Sequence, residues 1–448
     1  MIISAAFADK KYAVLGLARS GMAVVRALLA SGAEVMAWDS REGARAAAPD
    51  GITIADIMLA DLTGYAAIIV SPGVPINSHP VKQVAAKYGV PIIGDIELFA
   101  MARDDLPAHK IVGITGTNGK STTTALVHHI LQSANINSLM GGNIGLPIMG
   151  QAPLQPNDNG PAVYVLELSS YQIDLTHSLD CDVAALLNIT PDHLDRYDND
   201  FALYAAAKER LFAIQQKGVA VFSADDAQAQ HIAQSLKTGA SGVGTKPQNV
   251  KTGDDFGLVQ SEWPNLQGPH NLENARVAAA ICHELGLSIG QISTGLRSFG
   301  GLSHRMEVIA QHQGVTFVND SKATNPASTA PALAAYNNIH WIAGGLPKTD
   351  TLDDCAPYFG NVKTVYLIGE AGPAFGKLLS PFLNVVRSEM LCSAVETAFN
   401  NAQPGDIILL SPACASFDQF RDFEARGDAF VAATRKIMSE RNIGEVHT

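Results

Sequence analysis

From residue 113 to residue 123 the chain reads Gly113-Ile114-Thr115-Gly116-Thr117-Asn118-Gly119-Lys120-Ser121-Thr122-Thr123. Glycines, one lysine and adjacent hydroxyls in this order suit the binding of a phosphate chain. Backbone N–H groups of a glycine-rich turn, reinforced by the positive end of a following helix, attract the anion. Lys120 would reach the β/γ-phosphates, and Ser121 or Thr122 would hold Mg²⁺. The spacing departs from the standard phosphate loop. That pattern puts glycine at position 114, where Ile114 stands; Gly113 comes one place early and Gly116 falls inside. The competing reading is a glycine turn ahead of an ordinary helix.

Such a turn needs a strand before it and a helix after it. Lys110-Ile111-Val112 reads as the strand and Ala125 to Leu131 as the helix. Further polar residues stand at the ends of apolar strands. Ala162 to Leu166 ends at Glu167, followed by Leu168-Ser169-Ser170; a carboxylate beside a phosphate loop is a Mg²⁺ partner, or else a solvated cap. Val183 to Ile189 opens into Thr190-Pro191-Asp192-His193, so His193 is a metal or substrate contact or a structural residue. Gly141-Gly142-Asn143-Ile144-Gly145 is a turn rich in exposed backbone. Lys208 lies among alanines in a helix from about 201 to 212, and periodicity alone makes it a solvated side chain. Residues 240–262 read as irregular with a small β excursion. Near His270 an alanine-rich helix begins, with Asn271 as its cap; Asn274, one turn on, has no such role.

The first hundred residues predict a βαβ unit: strand Tyr12 to Leu15, turn Gly16-Leu17-Ala18-Arg19-Ser20-Gly21, helix Met22 to Ala30, strand Glu34 to Trp38, then Asp39. This nearly matches the dinucleotide fingerprint, with Ala18 where the second glycine belongs and Asp39 about where the ribose-binding acid stands. A redox dinucleotide site, a nucleotide-diphosphate site without redox chemistry and a bare strand–helix turn are all compatible with it; Ala18 crowds the closest approach of backbone to pyrophosphate. A third strand, Ala66 to Val70, leads to Ser71-Pro72-Gly73. In the last third, strands near 315–318, 340–343, 365–369 and 406–410 alternate with helical stretches. The first leads to Asn319-Asp320-Ser321-Lys322-Ala323-Thr324-Asn325, and the last to Ser411-Pro412-Ala413-Cys414-Ala415-Ser416.

The chain has 448 residues, so two or three domains are expected. We read an α/β protein of three domains: a Rossmann-like N-terminal domain at 1–103, a central P-loop-type domain with a mainly parallel sheet at 104–302, and a Rossmann-like C-terminal domain at 303–448. A net charge of −12 argues against a nucleic-acid or anionic-membrane surface. Five scattered cysteines without a Cys-x-x-Cys pair suggest neither a disulfide framework nor a cysteine zinc site, which fits the reducing cytoplasm. The short apolar N-terminus is followed, not preceded, by Lys10 and Lys11, so no signal peptide is expected, and no run of roughly 18 apolar residues suggests a membrane span.

Together, Gly116 to Thr122, Glu167 in Glu-Leu-Ser-Ser, Asn188 to His193, Lys208 and Arg305 resemble the Mur ligases, ATP-dependent amide-forming enzymes of peptidoglycan precursor synthesis. The segments 319–325 and 411–416 are similar to the D-glutamate-adding branch of that family. The resemblance implies ATP bound across the loop with Asn274, Arg305 and Asp320, and two Mg²⁺ ions: one on Ser121 and Glu167, the other on His193 and a carbamylated Lys208. It implies that Lys120, His193 and Lys208 serve catalysis. UDP-N-acetylmuramoyl-L-alanine would lie along Arg19, Ser20, Asp39, Ser40, Arg41, Gly73, Asn143, Ser169 and Lys322. D-Glutamate would meet Thr324, Lys348, Ser416 and Phe423. Three domains with hinges near 103 and 302 suggest closure on binding, and a monomer is expected. Leu346, in Gly344-Gly345-Leu346-Pro347-Lys348, departs from the branch, which often has an acid there, and this bears on the setting of Lys348. Lys120→Ala should abolish ADP formation while circular dichroism shows an intact fold; turnover like that of the unaltered chain would remove the phosphate-loop reading.

Overall fold

In a computed structural model, residues 1–237, 246–250, 256–263 and 265–444 are described. The chain packs into two compact units, Met1–Leu258 with Glu273–Ser298, and Val259–Leu272 with Phe299–Thr448. The first unit carries two sheets. Strands β1 (Lys11–Leu15), β2 (Glu34–Trp38), β3 (Thr53–Ile54), β4 (Tyr65–Val70) and β5 (Ile92–Ile93) lie in the order β3-β2-β1-β4-β5, all parallel. Strands β6 (His109–Thr115), β7 (Ser138–Gly142), β8 (Ala162–Glu167), β9 (Val183–Leu186), β10 (Val219–Ser223) and β11 (Lys246–Val250) form a second parallel sheet, ordered β11-β10-β9-β6-β8-β7. Parallel strands covered on both faces read as continuous apolar runs, as Val-Tyr-Val-Leu at 163–166 does. The outermost strand, β11, answers the β excursion expected at 240–262; residues 240–245 and 251–255 of that stretch lie outside the described residues.

Register places the phosphate-loop elements side by side. In the second sheet Ile114 of β6 pairs with Glu167 of β8, and Gly142 of β7 pairs with the same Glu167. The turns after β6, β7 and β8 therefore leave one edge together, the carboxyl end where open α/β sheets bind ligands. One continuous apolar core serves both sheets of this unit, joining Val14 and Ile69 of the first to Tyr164 and Leu186 of the second. The helix Asp95–Met101 is docked through Glu97, whose carboxylate accepts from His177 N, Ser178 N and Ser178 Oγ at 2.6, 2.9 and 2.7 Å.

The second unit carries strands β12 (Glu307–His312), β13 (Val315–Asn319), β14 (Ile339–Gly344), β15 (Val362–Ile368), β16 (Val385–Glu389) and β17 (Ile407–Leu410), ordered β12-β13-β17-β14-β15-β16. All pairs are parallel except β12 with β13. The expected hinge stretch 300–307 thus runs into an antiparallel edge strand. Asn319 pairs with Leu410, and Ile342 with the same Leu410, so the 319–325, 411–416 and 344–348 segments leave this sheet as neighbours.

Helix starts explain most boundary differences. The helix after β6 begins at Lys120, not Ala125, and the one after β1 begins at Arg19. The alanine-rich helix begins at Pro269, so Asn271 lies inside it and its Nδ2 donates to Gln267 O at 3.0 Å; it is not the cap. Gly142 has φ +87°, and a Cβ there would lie 2.2 Å from Glu167 O. Gly142→Ala should therefore cost about 2–4 kcal/mol of unfolding free energy; an unchanged urea midpoint would show that the turn has room.

Candidate active site

The loop after β6 is held by hydrogen bonds to its own backbone. Asn188 does most of this: its carbonyl accepts from Thr117 N at 2.8 Å, its Oδ1 from Asn118 N at 2.8 Å, and its Nδ2 donates to Asn118 O at 3.2 Å. With these N–H groups engaged, an anion would meet backbone donors chiefly at the first turn of the helix Lys120–Ser133. Gly119 makes the turn into that helix with φ +82°, and a Cβ there would lie 2.1 Å from Asn274 Oδ1. Asn274 is thus pressed against the loop, and its Oδ1 also accepts from Thr123 Oγ1 at 3.3 Å.

Two lysines converge on one carbonyl. Lys120 Nζ donates to Gly116 O at 2.9 Å and Thr117 O at 2.7 Å; Lys208 Nζ donates to Gly116 O at 2.8 Å. Lys208 is only 1% exposed, with its Nζ 4.6 Å from the centre of the Tyr204 ring. Burial, with the Lys120 charge adding to it, pushes the Lys208 pKa well down and favours the neutral amine. Periodicity alone made Lys208 a solvated residue; the structure corrects this. The helix Phe201–Ala213 turns Lys208 inward beneath the loop. Tyr204, one turn earlier, shares its face, and its OH lies 3.1 Å from Thr117 Oγ1.

Glu167 is 2% exposed; its Oε1 accepts from Asn143 Nδ2 at 3.0 Å, and its Oε2 has no hydrogen-bond partner. A buried carboxylate oxygen with nothing to accept is costly, and a cation removes the cost. Ser121, also buried, is the second residue of the helix Lys120–Ser133. Among the described residues, no group of three or more His, Cys, Asp or Glu gathers to hold a metal. Mg²⁺ bound through one or two protein groups and substrate phosphates needs no such group, so the donor set fits it. Ser169 caps the helix Ser170–Asp174 in a capping box with Gln172. His193 sits at φ +50° with a 59% exposed side chain, its Nε2 3.6 Å from Asp192 Oδ2 and its ring edge-on to Tyr171. Gly113 and Thr115 lie within β6: a Cβ at Gly113 would lie 2.9 Å from Cys181 Sγ, and Thr115 Oγ1 donates to Leu168 O at 2.8 Å. Gly113 thus packs against Cys181, and Thr115 ties β6 to the segment after β8. Thr122 is half-buried in the first helical turn.

In the first sheet, Asp39 closes the Gly16 loop. Its Oδ2 accepts from Leu17 N at 2.8 Å, and both oxygens meet the Arg41 guanidinium at 3.1 Å. That guanidinium holds the carboxyl well below the usual carboxylate range. Gly21 is the fingerprint glycine for close helix–strand packing: a Cβ there would lie 1.8 Å from Gly16 O. A cavity of about 890 Å³ is lined by Leu17, Ala18, Arg19, Met22, Arg41 and Ala44 among others. Arg19 and Arg41 are thus brought together, with Ser20 in the first turn and Ser40 exposed beside them. Gly73 O lies 3.4 Å from an Arg196 nitrogen.

In the second unit, Asp320 is 6% exposed; its Oδ2 accepts from Ser411 Oγ at 2.7 Å and its Oδ1 from Met306 N at 3.1 Å, next to Arg305. Lys322 Nζ stands 3.7 Å from the centre of the Phe423 ring, and Lys348 Nζ lies 3.4 Å from Thr324 Oγ1. Ser416 is buried. Sequence reasoning missed the residue that fastens these segments. Arg426, 1% exposed, donates to Ser321 Oγ and O at 3.0 and 2.8 Å, and to Ala415 O and Cys414 O at 3.2 and 3.1 Å. No local pattern signals it. The apolar Leu346 does not loosen the turn, because its backbone pairs with Ala415 through two bonds of 2.9 Å. Cys414 is buried, and burial pushes its thiol up to about 12, which suits a small core residue and not a nucleophile.

A glycine turn on a strand–helix junction, two lysines beneath it and a half-satisfied strand-end carboxylate define a phosphate-handling site of the nucleotide-binding class. Family models place it further: "Mur ligase middle domain" matches residues 114–282, "Mur ligase, glutamate ligase domain" 304–414, and "Mur ligase MurD-like, N-terminal domain" 10–94. The chain is 59% identical over 446 residues to the UDP-N-acetylmuramoylalanine–D-glutamate ligase of Novosphingobium aromaticivorans, covering 98% of each chain. It is 54% identical to the ligase of the same name from Sphingopyxis alaskensis, covering 98% of this chain and all of the other. Among solved structures, the MurF ligase of Thermotoga maritima in complex with ADP is similar in fold, with TM-score 0.59 at 14% identity and 98% of each chain covered. The UDP-N-acetylmuramate–alanine ligase of Thermotoga maritima is another, with TM-score 0.58 at 18% identity over 95% of this chain and 99% of that one. The chain belongs to the Mur ligase family.

Burial pushes the Asp320 carboxyl up to about 7, against the Ser411 hydrogen bond. Between the unfolded value and that one, the native state holds a proton that the unfolded chain has released, so stability falls as pH rises, by up to about 1.4 kcal/mol per pH unit. Urea unfolding of the natural chain and Asp320→Asn should show this slope in their difference between about pH 4 and 7. A flat difference would mean that Asp320 is ionised in the fold throughout.

Proposed function

We propose that this chain joins D-glutamate to UDP-N-acetylmuramoyl-L-alanine with ATP, through an acyl phosphate, in cytoplasmic peptidoglycan precursor synthesis. The observation that carries the chemistry is the convergence of Lys120, Lys208 and the half-satisfied Glu167 around the 116–121 turn. The specific substrates rest on the two relatives, both named for that reaction and matching this chain nearly end to end. Among the described residues no helix is long and apolar enough to cross a membrane. We take 1–103, 104–302 and 303–448 as the domains; each span holds one sheet.

A carboxylate does not condense with an amine near neutral pH, because its oxygen is a poor leaving group. Phosphorylating the alanyl carboxylate supplies a better one. Both reactants are anions, so neutralising charge is the first requirement. Lys120, on leaving Gly116 O and Thr117 O, would place its charge on the β/γ-phosphates. Ser121 and Glu167 would hold Mg²⁺, which when bound supplies electrostatic stabilisation of the phosphoryl group. Lys208 as a neutral amine is the form that reacts with CO₂, giving a carbamate and a proton; with His193 it would form the second metal position. Asn143 steadies Glu167 and would orient the muramoyl–alanine end together with Ser169. Arg19 and Arg41 would meet the diphosphate. Asn274, Arg305 and Asp320 would contact ATP. Lys348, Thr324, Ser416 and Phe423 would position D-glutamate, and Lys322 the muramoyl path. Attack by the free amine gives a tetrahedral oxyanion and then amide and phosphate. Nothing here uses the first sheet's loop for hydride transfer, and Ala18 at the fingerprint's second glycine agrees with a nucleotide-diphosphate role.

Phosphate release should require UDP-N-acetylmuramoyl-L-alanine and D-glutamate together. Release with ATP alone at the same rate would make the chain a nucleotide hydrolase, and a coupled NAD(P)H absorbance change would favour a dehydrogenase. Lys208→Ala should be nearly inactive and partly rescued by acetate; full activity without rescue would remove the carbamate.

A further inference from the structure

Arg196 lies just past His193, at the end of the short 3₁₀ turn Leu194–Arg196 that follows β9. The backbone around it is unusual. His193, Asp198 and Asn199 take left-handed φ values of +50°, +54° and +58° without being glycine. Such a run persists only where surrounding contacts over-determine it. The His193 side chain is exposed and meets Asp192 Oδ2 only at 3.6 Å. Its direction is therefore set by the main chain of the turn and by the Tyr171 ring, edge-on at 5.7 Å.

Arg196 anchors both. Its N donates to His193 O at 3.1 Å and closes the turn. Its carbonyl accepts from Asn77 Nδ2. Asn77 Oδ1 is occupied by Lys82 Nζ at 2.6 Å, which leaves the amide donor facing Arg196. The guanidinium donates to Pro72 O at 3.2 Å and Gly73 O at 3.4 Å, and stands 4.2 Å from the centre of the Tyr171 ring. It thus serves two neutral carbonyls and one ring face together. A planar fork can do this; the single ammonium of a lysine cannot. Residues 72–77 follow β4 of the first sheet, and His193 follows β9 of the second. One residue therefore bridges the segment assigned to the diphosphate, at Gly73, and the turn assigned to the second metal, at His193. Tyr171, under the guanidinium, directly follows the Ser169–Ser170 helix start after Glu167.

We propose that Arg196 is a positioning residue, which holds the His193 turn against the 72–77 segment so that substrate diphosphate and metal meet at a fixed separation. Its effect on turnover rests on the ligase reading; the clasp itself does not. Hydrogen exchange followed by mass spectrometry, on the full chain without substrates, reads the clasp directly. The amides of Val74, Ser78 and His79 in one segment, and of Arg196, Tyr197 and Asn199 in the other, are hydrogen-bonded. In Arg196→Ala both segments should exchange about fivefold faster or more, while residues 121–131 stay unchanged. Arg196→Lys should loosen the same two segments by a smaller factor. Faster exchange in only one segment, in neither, or equally at 121–131 would overturn the proposal. In turnover, Arg196→Ala should lower kcat about tenfold and raise KM for UDP-N-acetylmuramoyl-L-alanine, with KM for ATP unchanged and Arg196→Lys in between. An equal rise in KM for ATP, or Arg196→Lys matching the natural chain, would overturn it as well. If the natural chain does not turn these substrates over, the ligase reading falls, and the exchange result still decides the clasp.

Discussion

A glycine-rich loop that turns its carbonyls inward on its way into a helix must find donors for them. That constraint organises the centre of this molecule. Gly116 O takes both lysine nitrogens, Thr117 O takes Lys120, and Asn118 O takes the Asn188 amide. Each donor comes from a different element: the helix after the loop, the helix Phe201–Ala213, and the turn after β9. The loop's conformation is therefore set by elements far apart in sequence. Their parallel register brings them to one edge of one sheet.

The same constraint explains why buried charge is tolerated here. Bringing an ammonium and a carboxylate out of water is costly unless each finds partners. Lys208 lowers that cost by favouring its neutral form under burial and under the charge of Lys120. Glu167 meets it halfway, with Asn143 on one oxygen and nothing on the other. The unpartnered Glu167 oxygen leaves this site with one buried acceptor still to be satisfied. In the second unit the problem is solved from within: Arg426 spreads its guanidinium over three backbone carbonyls and one hydroxyl, and fastens the 319–325 and 411–416 segments without any carboxylate.

How much of this was legible from sequence depended on the range of the interaction. Strand ends were readable, because apolar runs stop where polar residues begin, and Glu167 and Asp320 stand at such stops, whereas His193 lies in the turn well past Leu186, where β9 ends. The α/β class and the three sheets followed from the alternation of those runs with helical stretches. Lys208 was not legible from periodicity: alanines around it bury its face, and alanine carries no strong pattern of its own. The resemblance to a family supplied it, and the structure gives the reason. Asn188 was visible only as part of a motif, since its side chain acts as a substitute peptide toward Asn118, a partner 70 positions away. Asn271 was misread as a cap because Pro269 starts its helix earlier than the polar residue suggested.

Leu346 shows the other side of this distinction. A side chain that departs from its relatives draws attention in a sequence, yet the turn it occupies is fixed by main chain. Leu346 exchanges two hydrogen bonds with Ala415, Gly344 N donates to Pro412 O, and Ala371 N donates to Gly345 O. At Gly344, with φ +123°, a Cβ would lie 2.0 Å from Ile368 O, and at Gly345, with φ +131°, one would lie 2.3 Å from Ala415 O. The glycines, not residue 346, therefore determine where Lys348 begins, and the Leu346 side chain is half-buried beside a path already drawn. A departure at a position whose backbone is fully bonded changes local polarity around Lys348 but leaves the course of the chain that presents it unaltered.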